Sequence, residues 1–109
     1  MSRTPPVLVC LTTVSDQDQA RRIAKELLEK RVAACVQIDG PVESHYRWQD
    51  KVECETEYRL VIKTSEGKKS DLHDLIREIH PYDQPQIVTL QSVHVDPGYA
   101  EWVEQEVRS

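Results

Sequence analysis

The sequence predicts an α+β domain in which four strands and two helices follow the order strand, helix, strand, strand, helix, strand, with a third helix at the end. Two observations support this prediction. Apolar residues recur at helical spacing in segments 20–28 and 72–79, and runs with strand character lie on both sides of each segment. The chain of 109 residues, 39% of them hydrophobic, is long enough for one domain, which we place over residues 1–109.

The first strand and the first helix open the predicted domain. Val7–Val14 is apolar at odd and even positions, which is typical of a central strand covered on both faces. Ser15 or Asp16 is suited to cap the helix that follows. The apolar stripe of this helix, expected to be buried, consists of Ala20, Ile23, Ala24, Leu27 and Leu28.

The second and third strands form a predicted hairpin. The second strand runs over residues 33–38, is interrupted at Gly40-Pro41 and resumes over residues 42–48. Proline within a sheet is confined to edges and bulges, so we expect an edge strand. The third strand, residues 52–64, carries Val52, Cys54, Thr56, Tyr58, Leu60 and Ile62 on one face. The other face carries Glu53, Glu55, Glu57, Arg59 and Lys63.

The second helix, the fourth strand and the third helix complete the order. Ser65 is expected to cap the second helix, and Ile79 or His80 to end it, because Pro81 disfavours helical geometry in the residue before it. By the same argument Gln84 should open the fourth strand, which we place at residues 86–93. The buried positions of the second helix are Leu72, Leu75, Ile76 and Ile79, and Tyr99, Trp102, Val103 and Val107 suggest a short final helix.

This order is that of the ferredoxin-like fold, with both crossover helices on one face of an antiparallel sheet. Right-handed crossovers then put the first and third strands in the centre. The third strand would extend about 43 Å, whereas the first helix covers about 24 Å, so the hairpin should project beyond the helices. The projecting part carries Tyr46, Trp48, Val52 and Tyr58, and we expect another copy of the chain to cover it.

Charge and cysteine content exclude several classes of partner. The 14 Lys and Arg residues against 19 Asp and Glu residues give a net charge of −5, which disfavours a nucleic-acid partner. Cys10, Cys35 and Cys54 are odd in number and widely spaced, which suits neither a disulfide framework nor a CxxC zinc site, so we expect a cytoplasmic protein. The run Val7–Val14 is too short for a membrane span, and we expect no signal peptide and no membrane association.

The candidate site residues cluster where Pro81 and Pro85 bracket a turn. His80 stands at a helix end, where the helix dipole favours a cation, and it is either a metal ligand or a helix C-cap. Tyr82 and Asp83 either form a hydrogen-bonded pair or contact a neighbouring subunit. Lys63, at the end of the third strand, either binds an anion or extends its charge into solvent.

The other metal-ligand types in the sequence do not stand at recognisable ligand spacing. The three cysteines are interpreted as packing residues, and His45, beside Glu43, as a solvated side chain. His73 and His80 share a helix face but lie about 10 Å apart, too far for one ion. The sequence contains no nucleophile elbow, phosphate loop or dinucleotide fingerprint, and we expect no enzymatic activity.

Several of these residues recur together in a known family. The motifs are Ala33-Ala34-Cys35-Val36, Ser44-x-Tyr46-x-Trp48-x-x-Lys51, Glu57, Lys63-Thr64, His80-Pro81-Tyr82-Asp83-x-Pro85-x-Ile87 and Tyr99-x-x-Trp102. In their order and spacing the chain resembles the CutA divalent-cation-tolerance family along nearly its full length. The resemblance implies a ferredoxin-like homotrimer whose strands pair between subunits, similar to the PII signalling trimers. It further implies tolerance of copper and other divalent metals, without an established enzymatic activity.

The chain departs from the family at positions proposed to bind copper. The resemblance places a cysteine and two histidines at Thr12, Ile79 and His80, of which only His80 remains. The acidic residue after the second proline is Gln86, and the glycine of the hairpin turn is Asp50, which tolerates a left-handed conformation.

We interpret the chain as a homotrimer with Cu or another divalent cation as candidate ligand and His80 as candidate metal residue. A cleft between subunits is expected to contain Tyr46, Trp48, Lys63, Tyr82 and Asp83. One alternative is a PII-like signalling module that binds a small anion or metabolite in this cleft. The other is a structural trimer whose aromatic side chains only pack.

Overall fold

The elements of the structure follow the predicted order. A computed structural model describes residues 3 to 108. The elements are β1 Val7–Val14, α1 Gln17–Glu29, β2 Cys35–Trp48, β3 Lys51–Ser65, α2 Lys69–Ile79, β4 Val88–Gln91 and α3 Pro97–Glu106. Within residues 3–108, no helix has the length and apolar character needed to cross a membrane.

The four strands form one antiparallel sheet in the order β2-β3-β1-β4. This order confirms the prediction that the first and third strands are central and that the strand with Pro41 lies at an edge. Over residues 3–108 the chain is therefore an α+β protein with a four-stranded antiparallel sheet and three α-helices.

The main core lies between the sheet and helices α1 and α2. Asp16 caps α1, since its carboxylate accepts a 2.8 Å hydrogen bond from the Gln19 backbone N–H. The core side chains include Cys10, Val14, Ala20, Ile23, Leu27, Leu60, Ile62, Leu72, Leu75 and Ile76. Leu28, predicted to be buried, is 43% exposed because it lies at the margin of the apolar stripe.

Two predicted boundaries are wrong. Ser65 precedes a single 3-10 turn, Glu66–Lys68, and its side chain makes no capping hydrogen bond, so α2 begins only at Lys69. The fourth strand covers four residues rather than residues 86–93 and does not begin at Gln84. The fourth strand is shorter than predicted because only Val88–Gln91 pairs with β1, opposite Leu8 to Leu11.

The hairpin of β2 and β3 projects far beyond the helices. Its ladder continues past a bulge between Asp39 and Val42, where Gly40 has a φ of +143° that few side chains tolerate. The tip is a tight turn in which Gln49 and Asp50 have φ values of 50° and 65°, as in a type I′ turn. The longest dimension of the molecule is 53 Å, in agreement with the predicted projection. We call residues 42–57 the outer hairpin.

The sheet face opposite α1 and α2 is only partly covered. The register aligns Val9 with Lys63 and Leu90, and it aligns Leu11 with Val61 and Val88. Helix α3 packs over one end of this face, where Val7 joins Ala100 and Val103 in a small second core. The sequence predicted that β1 is covered on both faces. Within one chain, α3 provides this second cover only at Val7. We call the side chains of Val9, Leu11, Val61, Val88 and Leu90 the open face.

Candidate functional site

His80 is fixed in place by three backbone groups. It ends α2, and its backbone N–H donates a 2.8 Å hydrogen bond to the Ile76 carbonyl. Its ring Nε2–H donates to the Thr13 carbonyl at 2.9 Å, while Nδ1 accepts from the Tyr82 backbone N–H at 3.1 Å. The side chain is nearly buried, and its ring packs edge-on against that of Tyr82 at 4.8 Å. The alternative in which His80 is a helix C-cap is confirmed.

These contacts fix the neutral form of His80 with its proton on Nε2. Burial lowers the pKa of His80, although the Thr13 carbonyl and the Glu57 carboxylate act in the opposite direction. A metal ion at His80 would have to displace the Thr13 carbonyl from Nε2 or the Tyr82 N–H from Nδ1. The ring thus has a structural role that joins the end of β1 to the turn after α2.

The other positions aligned with proposed copper ligands are apolar or unpaired. Thr12 is fully buried, and its hydroxyl has no hydrogen-bond partner among the described residues. Ile79 packs against the main core. Gln86 lies at the edge of a neighbouring cleft. None of the three brings a thiol, an imidazole or a carboxylate toward His80.

Four of the five predicted cleft residues lie together within a single chain. Tyr46 and Trp48 from the outer hairpin, and Tyr82 and Asp83 from the proline turn, line one cleft of about 760 Å³. Its remaining lining comes from Thr13, Ser15, Ser44, His45, Glu55, Thr56, Glu57, Gln84 and Gln86. The hairpin thus forms one wall of the cleft and the turn after α2 the other.

Glu57 is the buried carboxylate of this cleft. It is 8% exposed, and its Oε2 accepts a 2.8 Å hydrogen bond from the Tyr82 hydroxyl. Burial, followed by the bond to Glu57, raises the pKa of Tyr82. Desolvation and the carboxylates of Glu55, Glu53 and Glu57 raise the pKa of Tyr46. The cleft is therefore rich in oxygen atoms and negatively charged.

Lys63 does not join the cleft within one chain, and its place in a cleft between subunits stays a prediction. Its ammonium donates a 2.7 Å hydrogen bond to the Gln37 side-chain carbonyl across β2 and β3. Glu53 is the cross-strand partner of Tyr46, and Lys63 lies ten residues after it on β3. At about 3.3 Å per strand residue, Lys63 is about 33 Å from Glu53.

A second cluster of ligand-type side chains was missed by sequence reasoning. His45 is paired with Cys54 across the hairpin, and its Nε2 lies 3.7 Å from the Cys54 sulfur and 2.6 Å from Glu43 Oε1. The signal was present in the sequence. A two-residue turn at Gln49 and Asp50 pairs Trp48 with Lys51. Counting outward from that pair along both strands places His45 opposite Cys54.

The comparisons with known proteins agree on one family. The model of the CutA1 divalent ion tolerance protein family matches residues 8–106. The divalent-cation tolerance protein CutA of Thermus thermophilus is 38% identical over 97 residues, which cover 89% of this chain and 94% of that protein. The crystal structure of divalent ion tolerance protein CutA1 from Ehrlichia chaffeensis superposes with a TM-score of 0.93 at 28% identity, covering 98% of this chain and 100% of the other.

Some relatives are considerably longer than this chain. The chloroplastic protein CutA of Arabidopsis thaliana is 31% identical over 99% of this chain, but the chain spans only 59% of that relative. The corresponding share is 60% for the Oryza sativa relative and 58% for the Mus musculus relative. The family match over residues 8–106 covers the sheet, its helices and the cleft described above. The chain therefore belongs to the CutA1 divalent ion tolerance protein family.

Proposed function

We propose that this chain acts in divalent-cation tolerance as a homotrimer that binds cations weakly in its cleft, copper among them, and that it has no enzymatic activity. The observation that carries the proposal is the charge of the cleft. Glu55, Glu57 and Asp83 line it, and the lining residues within the described part of the chain include neither lysine nor arginine. Carboxylates that share one concave site attract cations and repel anions.

The arrangement favours weak rather than tight binding. Glu57 is buried and held by Tyr82, whereas Glu55 and Asp83 are exposed and screened by water and salt. Cu²⁺ generally binds nitrogen and oxygen sites more strongly than the other divalent ions of its row, so copper should lead the series. Phenolic, carboxylate and amide oxygens around one opening suit such an ion without enclosing it.

The homotrimer is supported by the open face and by the outer hairpin. Leu90 and Val88 are 54% and 44% exposed, and they lie in register with the half-buried Val9 and Leu11. Trp48 and Val52, at the hairpin tip, are 52% and 69% exposed. Contiguous apolar surface of this kind marks an interaction site, and further copies of the same chain are the occupant that we propose.

We also propose a cytoplasmic location. Cys10, Cys35 and Cys54 are all free thiols, and Cys54 is exposed. A reducing compartment preserves exposed thiols, which supports this location.

The PII-like alternative, with a small anion or metabolite in the cleft, meets an electrostatic obstacle. An anion there would face the carboxylates of Glu55, Glu57 and Asp83. The predicted cation for such a ligand, Lys63, is bound to Gln37 far along the hairpin.

Calorimetric titration of the chelator-stripped protein tests the proposal. The titration uses a Cys54→Ser background, so that the exposed thiol does not contribute. We expect Cu²⁺ to give more heat than Zn²⁺ and phosphate to give none. Asp83→Asn and Glu55→Gln should each weaken Cu²⁺ binding, whereas Glu29→Gln, an exposed carboxylate on α1, should leave it unchanged. Cu²⁺ heat that survives both cleft substitutions would overturn the proposal, and heat from phosphate alone would favour the anion module.

A further inference from the structure

A set of ligand-type side chains on the outer hairpin is distinct from the carboxylates of the cleft. One ligand atom from each of Glu43, His45 and Cys54 lies within 4.8 Å of the others, and all three side chains are exposed. Among residues 3–108 this is the one group of three or more such side chains that meets this distance limit. We call these three residues the hairpin cluster.

We propose that the hairpin cluster binds one borderline divalent ion of the Zn²⁺ type through a thiolate, an imidazole and a carboxylate. Cysteine, histidine and acidic side chains are the ligands that Zn²⁺ takes in proteins. Three protein ligands leave the fourth tetrahedral position to water or to a group from another molecule. Binding releases the Cys54 thiol proton to solvent, because the ligand is the thiolate.

The distances in the cluster fit tetrahedral coordination with small movements. Bond lengths of about 2.0–2.1 Å to nitrogen and 2.3 Å to sulfur separate these two atoms by about 3.6 Å. The His45 nitrogen lies 3.7 Å from the Cys54 sulfur. Glu43 Oε1, now 2.6 Å from the same nitrogen, would move to about 3.4 Å when the ion takes the place of the Nε2 proton, which solvent transfers to Nδ1 of the same ring. Both side chains are exposed and free to make this change.

The hairpin itself holds the ligands on one side. His45 and Cys54 are directly paired residues of β2 and β3, and Glu43 lies two positions before His45, so all three project from the same face. The pairing of the two strands fixes the backbone of all three residues. Binding of the ion therefore restricts only the rotation of their side chains. This arrangement lowers the entropy lost when the ion is bound.

The inference rests on the proposed function in one respect, since both involve a divalent cation. The ligands proposed for the hairpin cluster differ from the carboxylates proposed for the cleft. His45 also borders the cleft, but Cys54 and Glu43 do not line it. Asp83 lines the cleft and is absent from the cluster. Substitutions at Cys54 and at Asp83 therefore separate the two sites.

Titration of the reduced, chelator-stripped protein with Co²⁺ tests this inference, because Co²⁺ reports Zn²⁺ sites by absorption. A thiolate bound to Co²⁺ gives a charge-transfer band in the near ultraviolet. We expect this band to saturate at one ion per chain and to disappear when Zn²⁺ is added. Circular dichroism and sedimentation of every variant establish that fold and assembly are unchanged.

The variants assign the ligands. Cys54→Ser should abolish the band, while Cys35→Ser, at a partly buried thiol outside the cluster, should retain it. Substitution of residues that only support a ligand already lowers metal affinity by about 10- to 100-fold, so His45→Gln and Glu43→Gln should each weaken binding at least about tenfold. His94→Gln, at an exposed histidine elsewhere, is the matched control.

Each outcome is decisive. A wild-type protein with reduced thiols and no band, a band that persists in Cys54→Ser, or an affinity unchanged by His45→Gln would overturn the inference. A Co²⁺ band that survives Asp83→Asn supports the inference. It does so even if calorimetry on the Cys54→Ser background detects no Cu²⁺ binding in the cleft, because that result would contradict only the proposed function. Loss of the band in Asp83→Asn would assign the ion to the cleft and also overturn the inference.

Discussion

The Tyr82 hydroxyl donates a 2.8 Å hydrogen bond to the carboxylate of Glu57 and so joins the turn after α2 to strand β3. Hydrogen bonds to charged groups contribute about 1.5–3 kcal/mol, and Glu57 is too buried for water to replace the hydroxyl fully. Tyr82→Phe should therefore lower the free energy of unfolding by about 1.5–3 kcal/mol in urea titrations at fixed protein concentration. Tyr99→Phe, on α3 and away from the cleft, should cost little. Equal losses in the two variants would contradict this role for the Glu57 contact.

His80 should make stability depend on pH near neutrality. Burial lowers its pKa in the folded state below the ordinary value of 6.5. Above pH 6.5 the ring is neutral in both states and its stabilisation is complete. As the pH falls through 6.5 and on through the folded pKa, the unfolded chain takes up the proton more readily, so this stabilisation is lost.

His80→Gln tests this dependence. It should cost about 1–3 kcal/mol at pH 8, because the bonds to Thr13 and Tyr82 are disturbed, and it should flatten the fall in stability just below pH 6.5. The measurement is urea unfolding between pH 8 and pH 5, with His94→Gln as the control. A variant with an unchanged pH profile would show that His80 does not carry the effect.

Two fully buried threonines should respond in opposite directions to replacement by valine. Thr12 has no hydrogen-bond partner among the described residues, whereas the Thr64 hydroxyl donates to the Val32 carbonyl at 2.7 Å. Thr12→Val should stabilise the protein by about 1 kcal/mol, and Thr64→Val should destabilise it by about 1–3 kcal/mol. Thermal unfolding of both variants checks this, since a change of 1 kcal/mol shifts the Tm by about 4–8 °C at this size. A lower Tm in Thr12→Val would indicate that its hydroxyl is paired in solution.

The proposed trimer should depend on Leu90. A charge in the open face would be buried against another copy without a partner, so Leu90→Glu should dissociate the assembly. Leu28→Glu is the matched control, because Leu28 is similarly exposed but lies on α1. Sedimentation should give trimers for the wild type and Leu28→Glu, and smaller species for Leu90→Glu. A trimeric Leu90→Glu protein would place the interface elsewhere.

Local pattern predicted most of the fold. Helical spacing and strand alternation gave the element order, and the crossover rule gave the central strands. The length of β4 was not predictable, because its end is set by pairing with β1 rather than by its own residues. Local pattern also could not predict that Ser65 precedes a 3-10 turn, since helical and 3-10 starts share the same capping residues.

The site was predicted in part, and its errors have physical causes. Tyr46, Trp48, Tyr82 and Asp83 converge within one chain, whereas the prediction placed them in a cleft between subunits. Alternation placed Glu57 on the charged face of the third strand, but it could not predict the contact with Tyr82, which lies 25 positions away in a turn. For His80 the sequence left a metal ligand and a helix C-cap as alternatives, because the backbone groups that engage its ring nitrogens come near only in the folded chain.

The bulge between Asp39 and Val42 divides the hairpin into two parts with different constraints on sequence change. Below it, side chains such as Ile38 and Leu60 pack in the core of their own chain, so substitutions there are limited by internal volume. Beyond it, the strands have no core of their own, and their side chains are limited by whatever they contact outside the chain. Substitutions in the outer hairpin should therefore change ligand binding or assembly while leaving the packing of the core intact.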